Sequence, residues 1–297
     1  MASPQENSAA FTKLNAYFGG MYKGAEASPF EQLARINPSQ DLSERYDFPG
    51  GTPRMQRQGL NDETKRSDVN LHTHTLSNSK FGMSVPVAEI FIITGKLGTI
   101  LPSVADMGVA AARWRGDLVQ EQLLHYADFK GYDGKPLFSA THKDGGQTQS
   151  NIIDGGGTTV EKISTDLAKV QAAKAQVRDD RGNIIGSPDI DTIVIPSTAS
   201  LIEAFRVLAS GKQAQGQADW SGDIRRVLQL PGWTGNSWMA FDTAEGVKAF
   251  IVQVLQEATT KFAQDPDREE GDMLFRCSAF GEGGVGNWRR GWYVDND

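Results

Sequence analysis

One cysteine, Cys277, serves the whole 297-residue chain, so no disulfide can close within it and the fold does not depend on oxidation. No apolar run approaches the ~20 residues that span a bilayer. The N-terminal segment, Met1 to Ala10, is polar and lacks the apolar stretch of a signal peptide. These absences point to a cytoplasm-like compartment, with no membrane involved. Positive charge is also in deficit: 30 Lys and Arg stand against 37 Asp and Glu, a net charge of -7. Tight sequence-independent binding of nucleic acid needs a field of Lys and Arg, so contact with DNA is expected to be weak and non-specific.

Catalytic signatures are missing too. There is no G-x-S-x-G, no G-x-x-x-x-G-K-[ST] and no H-E-x-x-H. Gly281-Glu282-Gly283-Gly284-Val285-Gly286 matches G-x-G-x-x-G by letter. A dinucleotide site, however, needs that loop to open a helix, with an acid about 20 residues further on. Only Asn287 to Asp297 follow Gly286, in a strand-like pattern with Trp288, Trp292 and Tyr293. The motif therefore reads as a hairpin turn. His72 and His74 alternate, as two ligands on one strand face would, yet no third ligand lies at a useful spacing. Cys277 lies among Phe275, Ala279 and Phe280 and reads as a buried structural thiol, with no catalytic partnership with His142. Asp179-Asp180 and Glu269-Glu270 fall in turns, where solvated charge is the default. No catalytic, cofactor-binding or metal-binding residue is assigned.

Glycine is abundant, at 32 residues against a usual ~7%. Charged residues at 23% and hydrophobic residues at 39% describe a globular chain with a sizeable core. The stretch from Met1 to Lys80 carries only short apolar clusters. Phe11, Leu14 and Phe18 suit one or two helical turns. Ser28, Pro29 and Glu31 read as a helix start, with Phe30, Leu33 and Ile36 as its buried face. Residues 47–80 hold little that forms a core, and alternate weakly from Leu71 to Leu76. They read either as a disordered leader or as an extended arm and hairpin ordered against another subunit.

Residues 83–93 read as a buried strand or short buried segment through Val85, Val87 and Ile90 to Ile93. A long helix over 103–128 follows, with Ser103 and Asp106 as its cap and Met107, Ala111, Trp114 and Leu118 as its stripe. A glycine-rich loop spans 145–157. A second helix carries Ile163, Leu167 and Val170, and a strand spans Ile190 to Ile195. A third helix carries Leu201, Phe205 and Leu208 and ends at Gly211. Trp238 to Phe241 and Phe250 to Leu255 read as strands. Met273 to Phe280 and Trp288 to Val294 read as a closing antiparallel pair joined by the glycine turn. The class is α+β.

Three stretches carry a resemblance. They are Pro38-Ser39-Gln40-Asp41-Leu42-Ser43-Glu44-Arg45-Tyr46-Asp47-Phe48 with Pro53-Arg54 and Arg57; Asn78-Ser79-Lys80-Phe81-Gly82-Met83-Ser84-Val85-Pro86-Val87 leading to Ile90; and Tyr132-Asp133-Gly134-Lys135-Pro136-Leu137-Phe138-Ser139 with Thr141-His142. In that order around a long helix they resemble the major head subunit of Mu-like tailed phages. Asp191 to Pro196, and Phe275-Arg276 before the glycines and Trp288, fit the same family. Val85 to Glu89 and Thr94 to Lys96 depart from the acidic stretch common there.

The resemblance implies the Hong Kong 97-type capsid fold and a major capsid protein that forms hexamers and pentamers in an icosahedral head around double-stranded DNA. It implies an N-terminal arm (1–46), an E-loop hairpin (47–82), a peripheral domain with the spine helix (83–135), an axial domain (136–249) and a return to the peripheral domain (250–297). Implied partners are further copies of the chain, a scaffold, a portal and a decoration protein. The implied location is the virion, after assembly in the host cytoplasm. Arg54, Arg57, Lys65, Arg66 and Lys80 in the polar stretch, and the loop residues Trp220 and Trp233, are the candidate assembly contacts. The tryptophans read equally well as a satellite core under a loop. The alternative function is a small α/β nucleotide-binding or hydrolytic enzyme using the glycine-rich loops.

Overall fold

A computed structural model describes residues 2–51, 70–144, 146–211, 219–244, 246–264 and 271–297. The chain opens with helix α1 (Pro4–Gly24), then strands β1 (Ala34–Pro38), β2 (Ser43–Pro49), β3 (Leu71–Ser77) and β4 (Ser79–Val87). Helices α2 (Glu89–Ile93) and α3 (Leu101–Leu124) follow, then short strands β5 (His142–Asp144), β6 (Gln147–Gln149) and β7 (Ile152–Asp154). Next come α4 (Val160–Ala175), β8 (Thr192–Ile195), α5 (Ala199–Ser210), β9 (Arg226–Gln229) and β10 (Trp238–Phe241). Two long strands, β11 (Phe250–Gln264) and β12 (Met273–Val285), precede the closing β13 (Gly291–Asp295).

The strands form two principal sheets, ordered β1-β11-β12-β4 and β7-β13-β10-β8-β9, and two ribbons, β2-β3 and β5-β6. Helix α3 lies on the first sheet, burying Trp114 and Leu118 beside Val252, Ala279 and Val285. The same cluster runs on into the second sheet through Phe241 and Phe250, with Leu167 of α4 and Phe205 of α5 packed there. A second cluster joins Leu14 and Phe18 of α1 to Met107 and Ala111 of α3 and to Phe275 and Cys277 of β12.

Several elements depart from the sequence reading. Helix α1 spans 21 residues, and Ser3 and Glu6 fix its start with a complete capping box, Ser3 Oγ accepting from the Glu6 N–H and the Glu6 carboxylate from the Ser3 N–H. The second expected helix stops after the 3₁₀ turn Pro29–Leu33, and Ile36, assigned to its buried face, is 40% exposed. From Ala34 the chain instead pairs in parallel with β11, up to Pro38 opposite Val254. The segment 83–93 divides at Val87, whose partner Met273 is the first residue of β12. With no strand left to pair, Glu89–Ile93 turns helical and leaves Ile90 and Ile93 exposed. Helix α3 begins at Leu101, not Ser103: Ile100 is its cap residue without a side-chain cap, and a proline, Pro102, fits its first turn. It ends at Leu124 rather than 128.

The largest correction concerns the glycines. Met273 to Phe280 and Trp288 to Val294 are not a hairpin. β12 runs on through Gly281, Gly283 and Gly284 to Val285, paired with β11 on both sides of two register shifts, and β13 joins the other sheet beside β10 and β7. Close packing explains the residue type. A Cβ on Gly281 would lie 2.4 Å from the Gln253 carbonyl oxygen and 2.8 Å from the Trp114 ring. On Gly283 it would lie 2.1 Å from Gln122 Nε2, and on Gly284 2.5 Å from Leu76 Cδ1. Alternate residues face opposite sides of a strand. Bare backbone therefore seats α3 on one face of β12 and the ribbon on the other.

Adding one methyl at this seat, Gly281→Ala, is expected to destabilise the chain by about 1–3 kcal/mol through overpacking. The urea midpoint should fall with its slope unchanged; an unshifted midpoint would contradict the packing role.

Candidate assembly surfaces

The ribbon has one exposed face along its length. Its register runs from Ser43 opposite Ser77 to Pro49 opposite Leu71. Glu44, Tyr46, Phe48, His72, His74 and Leu76 turn toward the body, while Arg45, Asp47, Leu71, Thr73 and Thr75 face out. The outer face is polar, with Arg45 bonded to Asp47 and to Thr73 Oγ1, both at 3.0 Å. Leu42 and Leu71 are 77% and 58% exposed. Ile90 and Ile93 on α2 are exposed as well, at 59% and 48%.

The ribbon's inner face is anchored. Tyr46 Oη donates to Gln253 Oε1 at 3.1 Å, and Gln253 Nε2 donates to the Leu76 carbonyl at 3.2 Å and to Asn78 Oδ1 at 2.9 Å. Phe48 stacks on Tyr132 at 4.9 Å, and His72 Nε2 lies 2.9 Å from Asp180 Oδ2.

Of the candidate contacts, Arg54, Arg57, Lys65 and Arg66 lie outside the described residues. Lys80, on β4, sits 6.0 Å from the centre of the Phe280 ring. Trp220 is buried, its Nε1 donating to Ser164 Oγ at 2.8 Å. Trp233 is partly buried against the core, 6.4 Å from the Tyr293 ring. The three described ones have different neighbours: Phe280 for Lys80, Ser164 for Trp220 and Tyr293 for Trp233.

The chemically suggestive groups are built into the fold. Burial pushes the Cys277 thiol up to about 11, which makes it a poor nucleophile. His142 is elsewhere: its Nδ1 is 2.6 Å from Asp133 Oδ2, and its ring stacks on Trp288 at 4.2 Å. Its Nε2 lies 3.2 Å from both the Leu137 carbonyl and Asn151 Oδ1. Asn151 completes the knot. It accepts from the Ser139 N–H at 2.8 Å and donates to the Leu137 carbonyl at 2.7 Å and the Gly291 carbonyl at 2.9 Å. The third sequence motif is thereby tied to the closing strand. His74 is partly buried, and that burial lowers its pKa. Among the described residues, no three His, Cys, Asp or Glu side chains converge on a metal-sized site. No helix there is long and apolar enough to cross a membrane.

A second buried cluster escaped the sequence reading. Lys174 of α4 donates to Asp242 at 2.7 Å and to the Asp189 carbonyl at 2.5 Å, and Arg290 also reaches Asp242. The Lys174 and Asp242 side chains are 3% and 2% exposed. Burial works to raise both the Asp133 and Asp242 carboxyls. Burial is the largest single effect on each, but the opposing contributions together outweigh it and leave each below its ordinary value: for Asp133, bonds from His142 and the Lys135 N–H; for Asp242, the bond and charge of Lys174, the Ala244 N–H and the Arg290 charge. No local pattern marks this cluster, because its members are 68 and 48 residues apart.

A family model described as the Mu-like prophage major head subunit gpT matches residues 8–162, from α1 through the ribbon and α3 into α4. The chain belongs to that family. The Mu-like head subunits are structural components of the virion, not enzymes, and the alternative enzymatic reading is unsupported. Solved structures show the matching Hong Kong 97-type fold. The chain is similar to a subunit of the bacteriophage JBD30 procapsid, with 16% identity, a TM-score of 0.57, and 99% of this chain and 76% of that one covered. It is similar to a virus-like particle subunit from Pyrococcus furiosus, with 12% identity, a TM-score of 0.55 and coverage of 96% and 98%. It also resembles the JBD30 capsid subunit described as decorated with minor capsid protein trimers, with 15% identity, a TM-score of 0.55 and coverage of 90% and 63%. The chain thus spans just under two thirds of that last subunit. No curated protein sequence matches the chain.

Replacing Asp242 with Ala should cost about 3–5 kcal/mol at neutral pH, because it leaves Lys174 buried and uncompensated. The acid limb has a defined sign. A carboxyl held low in the folded state contributes stability that is full above its unfolded pKa of ~3.9 and is lost as pH falls through the folded value. Asp133→Asn and Asp242→Asn should therefore each flatten the loss of stability below about pH 4. Chemical denaturation at a series of pH values measures this; unchanged acid slopes would refute it.

Proposed function

We propose that copies of this chain assemble into hexamers and pentamers that close into the icosahedral head of a tailed phage around double-stranded DNA. The observation that carries the proposal is the family match, which runs through the ribbon and α3, joined to a fold shared with shell subunits. In this reading residues 1–46 are the N-terminal arm and 47–82 the E-loop, whose described base is the ribbon. Residues 83–135 are the peripheral domain with α3 as spine, and 136–249 are the axial domain. The closing stretch 250–297 supplies β11 and β12 to the first sheet and β13 to the second.

The exposed ribbon supports a role in reaching a neighbour, and Arg54, Arg57, Lys65, Arg66 and Lys80 are its proposed contacts, with Trp220 and Trp233 at the axial side. Trp220 would act there through the loop that it anchors, since its own ring is buried. Individual contacts of this kind are weak. A closed shell engages each subunit with several neighbours at once, so effective concentration supplies persistence. The net charge of -7 keeps the wall from trapping its contents. A scaffold, a portal and a decoration protein are the proposed partners; the last is suggested by the decorated JBD30 capsid.

Electron microscopy of the expressed chain, with its scaffold where required, is expected to show closed shells of hexameric and pentameric capsomers. A protein that stays monomeric under all assembly conditions would overturn the proposal.

A further inference from the structure

The ribbon is attached to its own subunit at two separate places. Near the Ser43–Ser77 end, Gln253 holds Tyr46, Leu76 and Asn78, and Leu76 sits over Gly284. At the Pro49–Leu71 end, Phe48 and His72 lie on Tyr132, and the chain beyond Pro49 meets the turn after α4. Two seven-residue strands are marginal in water by themselves. One attachment would leave them a pivot, whereas two set an angle.

The second attachment is formed by two glycines against two aspartates. A Cβ on Gly50 would lie 1.9 Å from Asp180 Oδ2, and one on Gly51 2.8 Å from Asp179 Oδ2. The Asp180 N–H donates to the Gly50 carbonyl at 3.0 Å, and His72 Nε2 is 2.9 Å from Asp180 Oδ2. The receiving turn is closed by its own hydrogen bonds. Asp179 accepts from the N–H groups of Arg181 at 2.9 Å and Asn183 at 2.8 Å, and Gly182 takes the left-handed conformation, with φ +79°. Asp180 itself is incompletely satisfied: its side chain is 3% exposed, and its Oδ1 atom has no hydrogen-bond partner. A buried carboxylate oxygen without a donor is costly, and lifting the ribbon away would return it to water. The closed contact therefore carries its own incentive to open.

We propose that the turn Asp179–Asn183 is a releasable latch for the ribbon. Closed, it sets the ribbon's angle from within the subunit; open, Phe48 and His72 leave Tyr132 as well, and the ribbon swings about its attachment at Gln253 and Leu76. Displacement of the turn at the end of α4 would then be passed directly to the ribbon. This holds whether or not the ribbon reaches a neighbour, so it does not depend on the assembly reading.

Hydrogen–deuterium exchange on the purified full chain tests the latch. In the wild type, amides of β2 and β3 should exchange ahead of those of β8 and β10; equal protection would mean a permanent joint and overturn release. Gly50→Ala, which places a methyl where Asp180 sits, and His72→Ala, which removes a partner of Asp180, should each speed exchange in β2 and β3 by about tenfold. β8 and β10 should stay at wild-type rates. If Gly50→Ala unfolds the whole chain, His72→Ala decides, since that residue is part-exposed on the ribbon. Wild-type exchange throughout β2 and β3 in His72→Ala would overturn the latch.

Discussion

The close approach of α3 to β12 is the contact on which the rest of the structure depends. Trp114, Leu118 and Gln122 descend on a strand that offers Gly281 and Gly283 in place of side chains. The helix can sit this low only because the backbone there is bare. On the reverse face Gly284 accepts Leu76, so one stretch of strand sets the position of both α3 and the ribbon. The arrangement also explains why a run of glycines, each unfavourable to a strand by its entropy, lies within a 13-residue β-strand.

Around that seat, buried polar groups hold together pieces far apart in sequence. Asn151 links the Leu137 and Ser139 segment to the start of β13, and His142 stacks on Trp288 just before it. Lys174, Asp242 and Arg290 join the end of α4 to the strand β10 and the same closing segment. Buried ion pairs add little net stability over well-packed apolar groups, but each is costly to leave half-made. Their effect here is selective: an alternative docking of the closing segment, from Trp288 onward, would strand a buried charge or an amide. The apolar core supplies the driving force, and these groups choose among the ways of using it.

Much of the fold was legible in the chain. The stripes of α3, α4 and α5 were readable because helical spacing is a local property, and Gly211 ends α5 in the left-handed conformation as its position suggests. The β-branched run at Thr192–Ile195 and the strand at Trp238–Phe241 are fully buried, as continuous apolar runs are. The errors cluster where the outcome depended on a partner strand. Ala34–Pro38 became a strand because β11 lies beside it, and Ile90 lost its strand because β12 begins at Met273. The Lys174–Asp242–Arg290 cluster was invisible for the same reason, since nothing near Lys174 announces a carboxylate 68 residues away.

By itself the amino-acid sequence determined an α+β chain without an internal disulfide or a catalytic motif, because composition and helical periodicity survive without coordinates, and the order of three motifs carried the resemblance to a shell subunit. Only the tertiary structure decided what the glycines do. The letters of a nucleotide fingerprint and of a strand floor are the same, and the difference is whether a tryptophan and a leucine lie within a methyl group's reach of the backbone. That distance is set by segments from the first half of the chain, Trp114 on one side and Leu76 on the other, and no local reading of Gly281 to Gly286 contains it.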